Sequence, residues 1–343
     1  MLTPKENMMK IMNFEIPELF PDPASDCWYL FPPEVLERGP MTTEAEIMAG
    51  TGGSGFDWFG VHWTFVEEVG AATPSHAMGY PPILTDITKW KEQVKIPDIS
   101  NIDWKAAAER DLNNEAYPYD PSKLCHLTFQ NGPFERLHAL MGVEEALVAL
   151  LLEPESVKEL AEAIIDFKIQ LLDDMLKYYP IDIVELMDDY GHKTNAFMSV
   201  ETWEELFGPA LQKFADYCNE KGVIFQLHSC GKVESLIPSF IKFGVHHWAS
   251  CQPVNDLEGI LHNYGDQITL WEGGFLLADL EKDSITEEEV TEHLYNDVYK
   301  LYRGGAYIGD LWDFDESIQR PFRKFIEENR YTYFKDPEHW KLP

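Results

Sequence analysis

The residues with the clearest chemical potential are His228 and Cys230, which follow the largely apolar run 223–227. Residues two positions apart on a strand project from the same face, so the imidazole and the thiol would lie side by side where the strand ends. Imidazole and thiolate together suit zinc, and Gly231 would let other groups approach closely. Two ligands do not complete a metal site. The alternative, a buried cysteine beside a hydrogen-bonded histidine, therefore stays open at this point.

Further polar residues that could complete a site each follow another short apolar run. They are Asp188 and Asp189, Cys251, Glu272 and Asp310. Cys251 and Glu272 are the candidates for a third zinc ligand, because thiolate and carboxylate both bind catalytic zinc. Asp188, Asp189 and Glu272 are the candidates for acid–base catalysis. Because adjacent residues on a strand face opposite sides, only one of the two aspartates would enter the site, and the other would anchor the following loop.

A second group of residues is predicted to bind substrate: Asp57, Arg136, Gln252, Trp271 and Asp310. Arg136 would hold an anionic group, although a salt bridge is an equally good interpretation. Trp271 would form an aromatic wall together with Trp248 and Trp312, although core packing is the commoner role of a tryptophan.

The elements that must position these residues alternate along the chain from about residue 122 onward. Strands are predicted over 124–129, 181–187, 223–230, 246–249, 268–272 and 306–308, and helices over 143–179 with a break near Pro154, 199–221, 233–243, 256–264 and 286–303. Short apolar strands that alternate with helices indicate parallel pairing. Six such strands without a dinucleotide-binding fingerprint favour a (β/α)8 (TIM) barrel, whose rim would gather the polar residues.

The amino-terminal part of the chain has a different pattern. Residues 1–50 are Pro-rich, with a brief helical pattern at 43–49, and we predict an irregular extension that packs on a single barrel domain formed by residues 51–343. The glycines at 52–55 lack the GK[ST] sequence of a phosphate-binding loop. A turn followed by an aromatic strand is the better prediction for residues 55–63.

Composition limits the classes of function. The 343 residues include 27 basic and 60 acidic residues, a net charge of −33, which disfavours nucleic acid and anionic membranes as partners. The five cysteines have no framework spacing, which fits a reducing cytoplasm. The amino terminus lacks a signal-peptide pattern, and no apolar run approaches the roughly 20 residues that cross a bilayer. A cytoplasmic protein is therefore predicted.

Several stretches resemble one family. The segment 227–233, with 236–238 and 244–245, is similar to the uroporphyrinogen decarboxylase superfamily, and its cobalamin-dependent methyltransferase branch is the best match. The segments 57–61, 134–136 and 187–191 fit the same pattern, so the resemblance extends over about 45–320. It implies a (β/α)8 barrel with its pocket at the rim, in agreement with the alternation of elements.

The resemblance also implies a choice between two chemistries. The decarboxylases hold a tetrapyrrole's carboxylates with arginines, including a pair in an amino-terminal Arg-Gln-Ala-Gly-Arg segment. That segment is missing here, and Arg38 is the only arginine before Arg110. The methyltransferases bind zinc through His-x-Cys and a distant cysteine. His228 and Cys230 match the first part, but the distant cysteine, expected near residues 306–310, is absent, and Asp310 lies there instead.

The sequence therefore predicts a methyltransferase that moves a methyl group between a corrinoid protein and a small acceptor. With zinc bound, the acceptor would be a thiol; without zinc, it would be tetrahydrofolate, with Asp188 or Asp189 directing protonation. Two alternatives stay open: a decarboxylase that acts on a porphyrinogen or a smaller acid, and a corrinoid- or tetrapyrrole-binding protein without catalysis. The sequence leaves the oligomeric state undetermined.

Overall fold

The structure is a computed structural model, and it describes residues 2–32, 55–66, 71–277, 280, 284–311 and 315–343. The predicted helical stretch 43–49, the glycines at 52 and 53, and Trp312 lie outside the described residues. The strands are β1 (Cys27–Leu30), β2 (Gly55–Phe56), β3 (His62–Val66), β4 (Ala71–Pro74), β5 (Leu124–Phe129), β6 (Ile183–Met187), β7 (Ile224–His228), β8 (His247–Cys251), β9 (Thr269–Glu272) and β10 (Tyr307–Ile308).

The main sheet contains seven parallel strands in the order β1-β5-β6-β7-β8-β9-β10. The sheet curls, because Cys27 of one edge strand and Ile308 of the other lie in the same apolar cluster. The predicted α/β fold with parallel strands is confirmed. Closure into eight strands is not seen among the described residues and stays a prediction.

The α-helices lie mainly between successive strands of this sheet. They are α1 (Pro4–Met12), α2 (Pro23–Asp26), α3 (Trp90–Gln93), α4 (Trp104–Leu112), α5 (Pro133–Met141), α6 (Val143–Leu152), α7 (Pro154–Met175), α8 (Val200–Leu206), α9 (Gly208–Lys221), α10 (Ile237–Lys242), α11 (Leu257–Tyr264), α12 (Glu287–His293) and α13 (Glu316–Asn329). The predicted break near Pro154 is confirmed, since α7 begins at this proline, where its missing N–H costs no helical hydrogen bond.

Two predicted helices are interrupted. The stretch 199–221 is divided into α8 and α9, because Pro209 suits a first helical turn but not a helix interior. The stretch 286–303 begins as α12 with a Thr286 capping box, and then continues as a π-helical turn, Leu294–Val298, and a 3₁₀ segment, Tyr299–Gly305.

The described part of the amino-terminal extension is not irregular, contrary to the prediction. Helix α1 places Met8, Ile11 and Met12 against Cys27 and Leu124, at the amino ends of the strands, and β1 is itself part of the main sheet. The proline content misled the prediction, because Pro4 and Pro23 each stand in the first turn of a helix. Helix α1 thus closes the end of the sheet opposite to the strands' carboxyl ends.

Strands β2, β3 and β4 form a separate antiparallel sheet. The predicted turn and aromatic strand are confirmed here: the backbone turns after Phe56, and β3 begins at His62. None of the helices in the described residues is long and apolar enough to cross a bilayer.

His247 is the first residue of β8 and provides a test of how the amino-terminal end of the sheet is packed. Its buried ring stacks on Phe14, its Nδ1 lies 2.9 Å from the Thr269 hydroxyl, and burial, with a smaller effect of His246, lowers the pKa of His247 to about 3. Below its ordinary pKa of 6.5, this histidine would be protonated in the unfolded chain but not in the folded one. The stability that it contributes is therefore present above pH 6.5 and is lost as the pH falls.

We expect the His247→Gln variant to have a weaker dependence of stability on pH than the wild type. Between pH 6.5 and pH 5, the wild-type free energy of unfolding should fall by about 2 kcal/mol more than that of the variant, at about 1.4 kcal/mol per pH unit. Urea unfolding at the two pH values measures this difference. An equal loss in both proteins would contradict the buried, neutral state of His247.

Candidate functional site

The site is formed by side chains at alternate positions along three adjacent strands. On β6 and the residues after it, Glu185, Met187 and Asp189 take alternate positions, and on β7 Gln226, His228 and Cys230 do the same. Side chains two positions apart share a face, so these rows stand side by side on the concave face of the sheet. His126 and Thr128 of β5 form a third row. The site therefore lies at the carboxyl ends of the strands, where the sequence predicted it.

His228, Cys230 and Asp189 form a compact group of three donor atoms of different kinds. The Cys230 sulfur lies 3.4 Å from His228 Nε2, and this nitrogen lies 3.8 Å from Asp189 Oδ1. One donor atom from each residue lies within 4.8 Å of the other two. Ligands of tetrahedral zinc, at about 2.0–2.3 Å from the ion, are separated from one another by about 3.3–3.8 Å. The three residues, here called the donor trio, thus fit a zinc ion by atom type and by spacing.

Glu185 fixes the orientation of the His228 ring. Its Oε1 lies 2.8 Å from His228 Nδ1, and its Oε2 accepts a hydrogen bond of 3.2 Å from the Thr128 hydroxyl. Burial opposes the ionisation of Glu185, but His228 and Thr128 offset it, so the pKa of Glu185 lies below its ordinary value. Burial likewise opposes a charge on His228, but Cys230 and Glu185 raise the pKa of His228 well above its ordinary value. A carboxylate on Nδ1 leaves Nε2 directed toward the other two donors.

Two glycines allow the loops of the donor trio to meet. A Cβ on Gly191 would lie 2.4 Å from the Cys230 carbonyl oxygen, and one on Gly231 would lie 2.4 Å from the Gly191 carbonyl carbon. Gly231 also has a φ of +78°, which other residues rarely adopt. The Cys230 N–H donates to Asp189 Oδ1 over 2.7 Å, so the same approach holds the aspartate beside the cysteine.

Cys251 does not belong to the donor trio, although the sequence made it a candidate ligand. Strand β8 has a bulge between Ala249 and Cys251, and Ser250 within it has a φ of +59°. A bulge reverses the alternation of the side chains. The Ser250 hydroxyl consequently lies 3.0 Å from the Cys230 sulfur, while Cys251 is buried in the apolar core. Burial also raises the pKa of the Cys251 thiol well above its ordinary value, which disfavours the thiolate that binds metal.

The two adjacent aspartates have different environments. Asp189 belongs to the donor trio, whereas Asp188 is fully buried and accepts hydrogen bonds from the N–H groups of Phe134 and Glu135, in the first turn of α5, and from the Tyr190 hydroxyl. A carboxylate at a helix amino terminus satisfies N–H groups that have no partner within the helix. Asp188 therefore anchors α5 and does not enter the cavity.

A cavity of about 210 Å³ lies beside the donor trio on the concave face of the sheet. Its walls include His228, Ser250 and other residues that lie on the strands of the main sheet or shortly after them. The others are Tyr29, Phe31, His126, Thr128, Glu185, Met187, Gln226, Ala249, Trp271, Glu272, Gly273 and Asp310. Side chains from both edge strands or the residues after them, Tyr29 and Asp310, thus contribute to one cavity, because the sheet curls.

The remaining predicted residues divide between this cavity and the structural core. Trp271 and Asp310 line the cavity, and the Trp271 indole N–H lies 3.4 Å from Asp310 Oδ2. Glu272 also lines it, but its carboxylate accepts hydrogen bonds from the N–H groups of Gly274 and Phe275. Gln252 accepts a hydrogen bond from the Gly231 N–H and so supports the loop that follows Cys230.

Asp57 and Arg136 bind each other instead of lining the cavity, which agrees with the salt-bridge interpretation of Arg136 and not with substrate binding. Both side chains are buried, and the Arg136 guanidinium forms an ion pair with Asp57 Oδ2 and lies over the Phe59 ring. Asp57 also accepts a hydrogen bond of 2.9 Å from the Trp63 indole. These contacts join the small antiparallel sheet to α5. Trp248 is likewise a core residue, and its indole donates to the Ser229 carbonyl.

Sequence reasoning missed several residues that line the cavity. Glu185, His126 and Gln226 each stand within a buried strand, and His126 Nε2 lies 3.0 Å from Gln226 Oε1. The available signal was a polar residue two or four positions before another polar residue of the site, as in Gln226–His228 and Glu185–Asp189. Tyr29 and Phe31 carried no such signal, because their position depends on the curl of the sheet.

Comparisons with known proteins agree with this architecture. The family model for uroporphyrinogen decarboxylase (URO-D) matches residues 39–271. The chain belongs to the uroporphyrinogen decarboxylase family. The predicted resemblance is thereby confirmed. A solved structure, a methyltransferase from Methanosarcina mazei, superimposes with a TM-score of 0.60 over 96% of this chain and 99% of that chain, at 13% sequence identity, and this shows a shared fold. No curated protein matches the chain by sequence.

Gly231→Ala should disturb the donor trio, and Gly222→Ala is its matched control. Both glycines have a positive φ, +78° and +71°, but a Cβ on Gly222 would meet nothing within 4 Å. In Gly222→Ala the free energy of unfolding should fall by only about 1–2 kcal/mol, because alanine tolerates a positive φ less well than glycine does. Gly231→Ala should lose more stability and should also weaken zinc binding by about tenfold or more, in the range for disturbed metal-site supports. Urea unfolding and zinc titration measure the two effects. Equal behaviour of the two variants would contradict the close contact of the loops.

Proposed function

We propose that this member of the uroporphyrinogen decarboxylase family is a methyltransferase that moves a methyl group between a corrinoid and a small thiol. The observation that carries the proposal is the donor trio at the edge of the cavity. Nitrogen, sulfur and oxygen donors that all lie within 4.8 Å of one another suit a catalytic zinc ion that keeps one position for a substrate. The methyltransferase fold of the structural neighbour supports this proposal. The proposal also includes the closure of the curled sheet into a (β/α)8 barrel and a corrinoid protein as the partner.

The chain's residues have separate roles in this proposal. Asp189, His228 and Cys230 would hold the ion, Glu185 orients the imidazole, and the contact between Gly191 and Gly231 keeps the two loops together. A bound zinc ion supplies positive charge that lowers the pKa of a thiol and so favours the nucleophilic thiolate. The donor trio thus supports a thiol acceptor over tetrahydrofolate, which needs no such activation. Asp188 anchors α5, which leaves it no evident role in protonating a pterin.

The decarboxylase hypothesis lacks the cations that it needs. No arginine or lysine lines the cavity within the described part of the chain, whereas Glu185, Glu272 and Asp310 do. Arg136, the predicted anion-binding residue, is paired with Asp57 in the core. An octacarboxylate would meet negative charge in this cavity, and guanidinium groups are what normally binds carboxylates.

The purified protein should contain about one zinc ion per chain, because the three donors and one open position make a four-coordinate site. His228→Ala, Cys230→Ala and Asp189→Ala should each lower the zinc content after dialysis. Cys251→Ala is the matched control and should retain zinc, because the Cys251 sulfur faces the core. Elemental analysis of the four variants measures this. Zinc that persists in all three donor variants, or that is lost from Cys251→Ala, would refute the assignment of the ligands.

Methyl transfer is tested with methylcobalamin and a small thiol. We expect the methylcobalamin spectrum to convert to that of demethylated cobalamin in the presence of the protein. The rate should fall by about 100-fold or more in Cys230→Ala, because the loss of a residue that only supports a metal ligand already costs about 10–100-fold. The same protein is incubated in parallel with tetrahydrofolate and with enzymatically generated uroporphyrinogen. Coproporphyrin formation without methyl transfer would favour the decarboxylase. Cobalamin binding without any turnover would favour a non-catalytic corrinoid-binding protein.

A further inference from the structure

The cavity beside the donor trio is small. Its volume is about 210 Å³, and part of it is open to solvent. This space does not enclose a corrin ring or a complete folate, which would meet the cavity only at its open side. The molecule that enters the cavity is therefore a small one, and the cavity walls determine its chemical class.

The charge of the walls favours a cation. The carboxyl groups of Glu185, Glu272 and Asp310 all line the cavity, and Glu185 also contacts His228. Burial, and in addition the neighbouring Asp310 carboxylate, raise the pKa of Glu272 well above its ordinary value, so these surroundings disfavour the ionised form of Glu272. A cation beside Glu272 and Asp310 would stabilise that ionised form. The net charge of −33 would also attract cations toward the protein.

The aromatic residues of the walls favour the same class. Tyr29, Phe31 and Trp271 all line the cavity, and the rings of Tyr29 and Phe31 are nearly parallel, with centroids 6.2 Å apart. The faces of aromatic rings attract ammonium groups, and tryptophan does so most strongly. Asp310 accepts from the Trp271 indole N–H, so an acid and the best cation-binding ring are held together.

The floor of the cavity is polar. His126 and Gln226 are both more than nine-tenths buried and line the cavity, and His126 Nδ1 and Gln226 Nε2 have no hydrogen-bond partner among the described residues. Unsatisfied buried polar groups are uncommon and costly. The His126 ring centroid lies 5.2 Å from that of Tyr29 and 5.5 Å from that of Trp271, so a ligand that carries an oxygen close to its cation matches this floor better than a hydrocarbon does.

We propose that the cavity bounded by Tyr29, Phe31, Trp271, Glu272 and Asp310 binds a small organic cation with an ammonium group. The small thiol of the proposed methyl transfer would carry this ammonium group, with its charged end between the aromatic rings and the two carboxylates. The identification as a substrate rests on the proposed methyl transfer, but the binding of the cation does not, because it requires neither zinc nor a corrinoid.

The test compares three ligands of the same shape and different charge. Choline carries a trimethylammonium group, its carbon isostere carries a neutral tert-butyl group in the same place, and tert-butylacetate is a similar anion. Isothermal titration of the full chain should show that choline binds at least about tenfold more tightly than either of the others, in line with a partly desolvated cation–π contact. Titration without added zinc or corrinoid separates this result from the test of the proposed function.

Variants locate the binding. Trp271→Leu should weaken choline binding about tenfold or more, and Trp271→Phe, which keeps a ring, should weaken it less. Asp310→Asn removes one charge in the cavity and should also weaken binding. Glu327→Gln makes the same change of net charge at an exposed position on α13 and should bind choline as the wild type does. Thermal unfolding of each variant controls for loss of the fold.

Three outcomes would overturn the proposal. The first is equal binding of choline and its neutral isostere, which would mean a merely apolar cavity. The second is tighter binding of the anion or no binding of any of the three ligands. The third is choline binding that Trp271→Leu and Asp310→Asn leave unchanged, which would place the cation elsewhere on this acidic surface. Methyl transfer to a thiol could succeed in each of these cases, so a failure here differs from a failure of the proposed function.

Discussion

The close backbone contact between Gly191 and Gly231 is the constraint on which the site depends. The donor trio takes its atoms from the end of β7 and from the loops that follow β6 and β7, and neighbouring parallel strands alone would leave these loops about 4.8 Å apart or more. The absence of a Cβ on both residues lets the loops approach until the Cys230 N–H reaches Asp189 Oδ1 at 2.7 Å. A single backbone contact thereby converts two strand ends into one site.

Below this contact, a network of polar side chains holds the imidazole in place. Thr128 and His228 both contact Glu185, and His126 contacts Gln226, so three adjacent strands are joined on their concave face. Polar groups inside a sheet cost free energy unless they bond to one another, and the two bonds of Glu185, to Thr128 and to His228, meet this condition. The cost is consistent with a role that apolar residues could not fill, namely to present His228 Nε2 to a ligand in one fixed orientation.

Sequence reasoning succeeded where the regular alternation of a strand holds and failed where it breaks. The pairing of His228 with Cys230 and the strand at Leu124–Phe129 followed from periodicity alone. Cys251 was placed wrongly because the bulge at Ser250 reverses the face on which later side chains lie, and no local sequence signal marked this non-glycine residue with a positive φ. The sequence left Arg136 open between anion binding and a salt bridge, since its partner Asp57 is 79 positions away in sequence and only the fold reveals the ion pair.

One family fold can carry different chemistries because the strands position whichever side chains occupy their inward-facing positions. In this chain these positions hold carboxylates, aromatic rings and the donor trio, and the described lining of the cavity includes no arginine or lysine. Replacing an arginine clamp by acids reverses the sign of the field that an entering molecule meets, and a buried field of this kind is only weakly screened. The inward-facing residues that the structure describes therefore disfavour a polyanion in this cavity. The chemistry of this protein is determined by that set, and the elements outside the sheet serve to hold it in place.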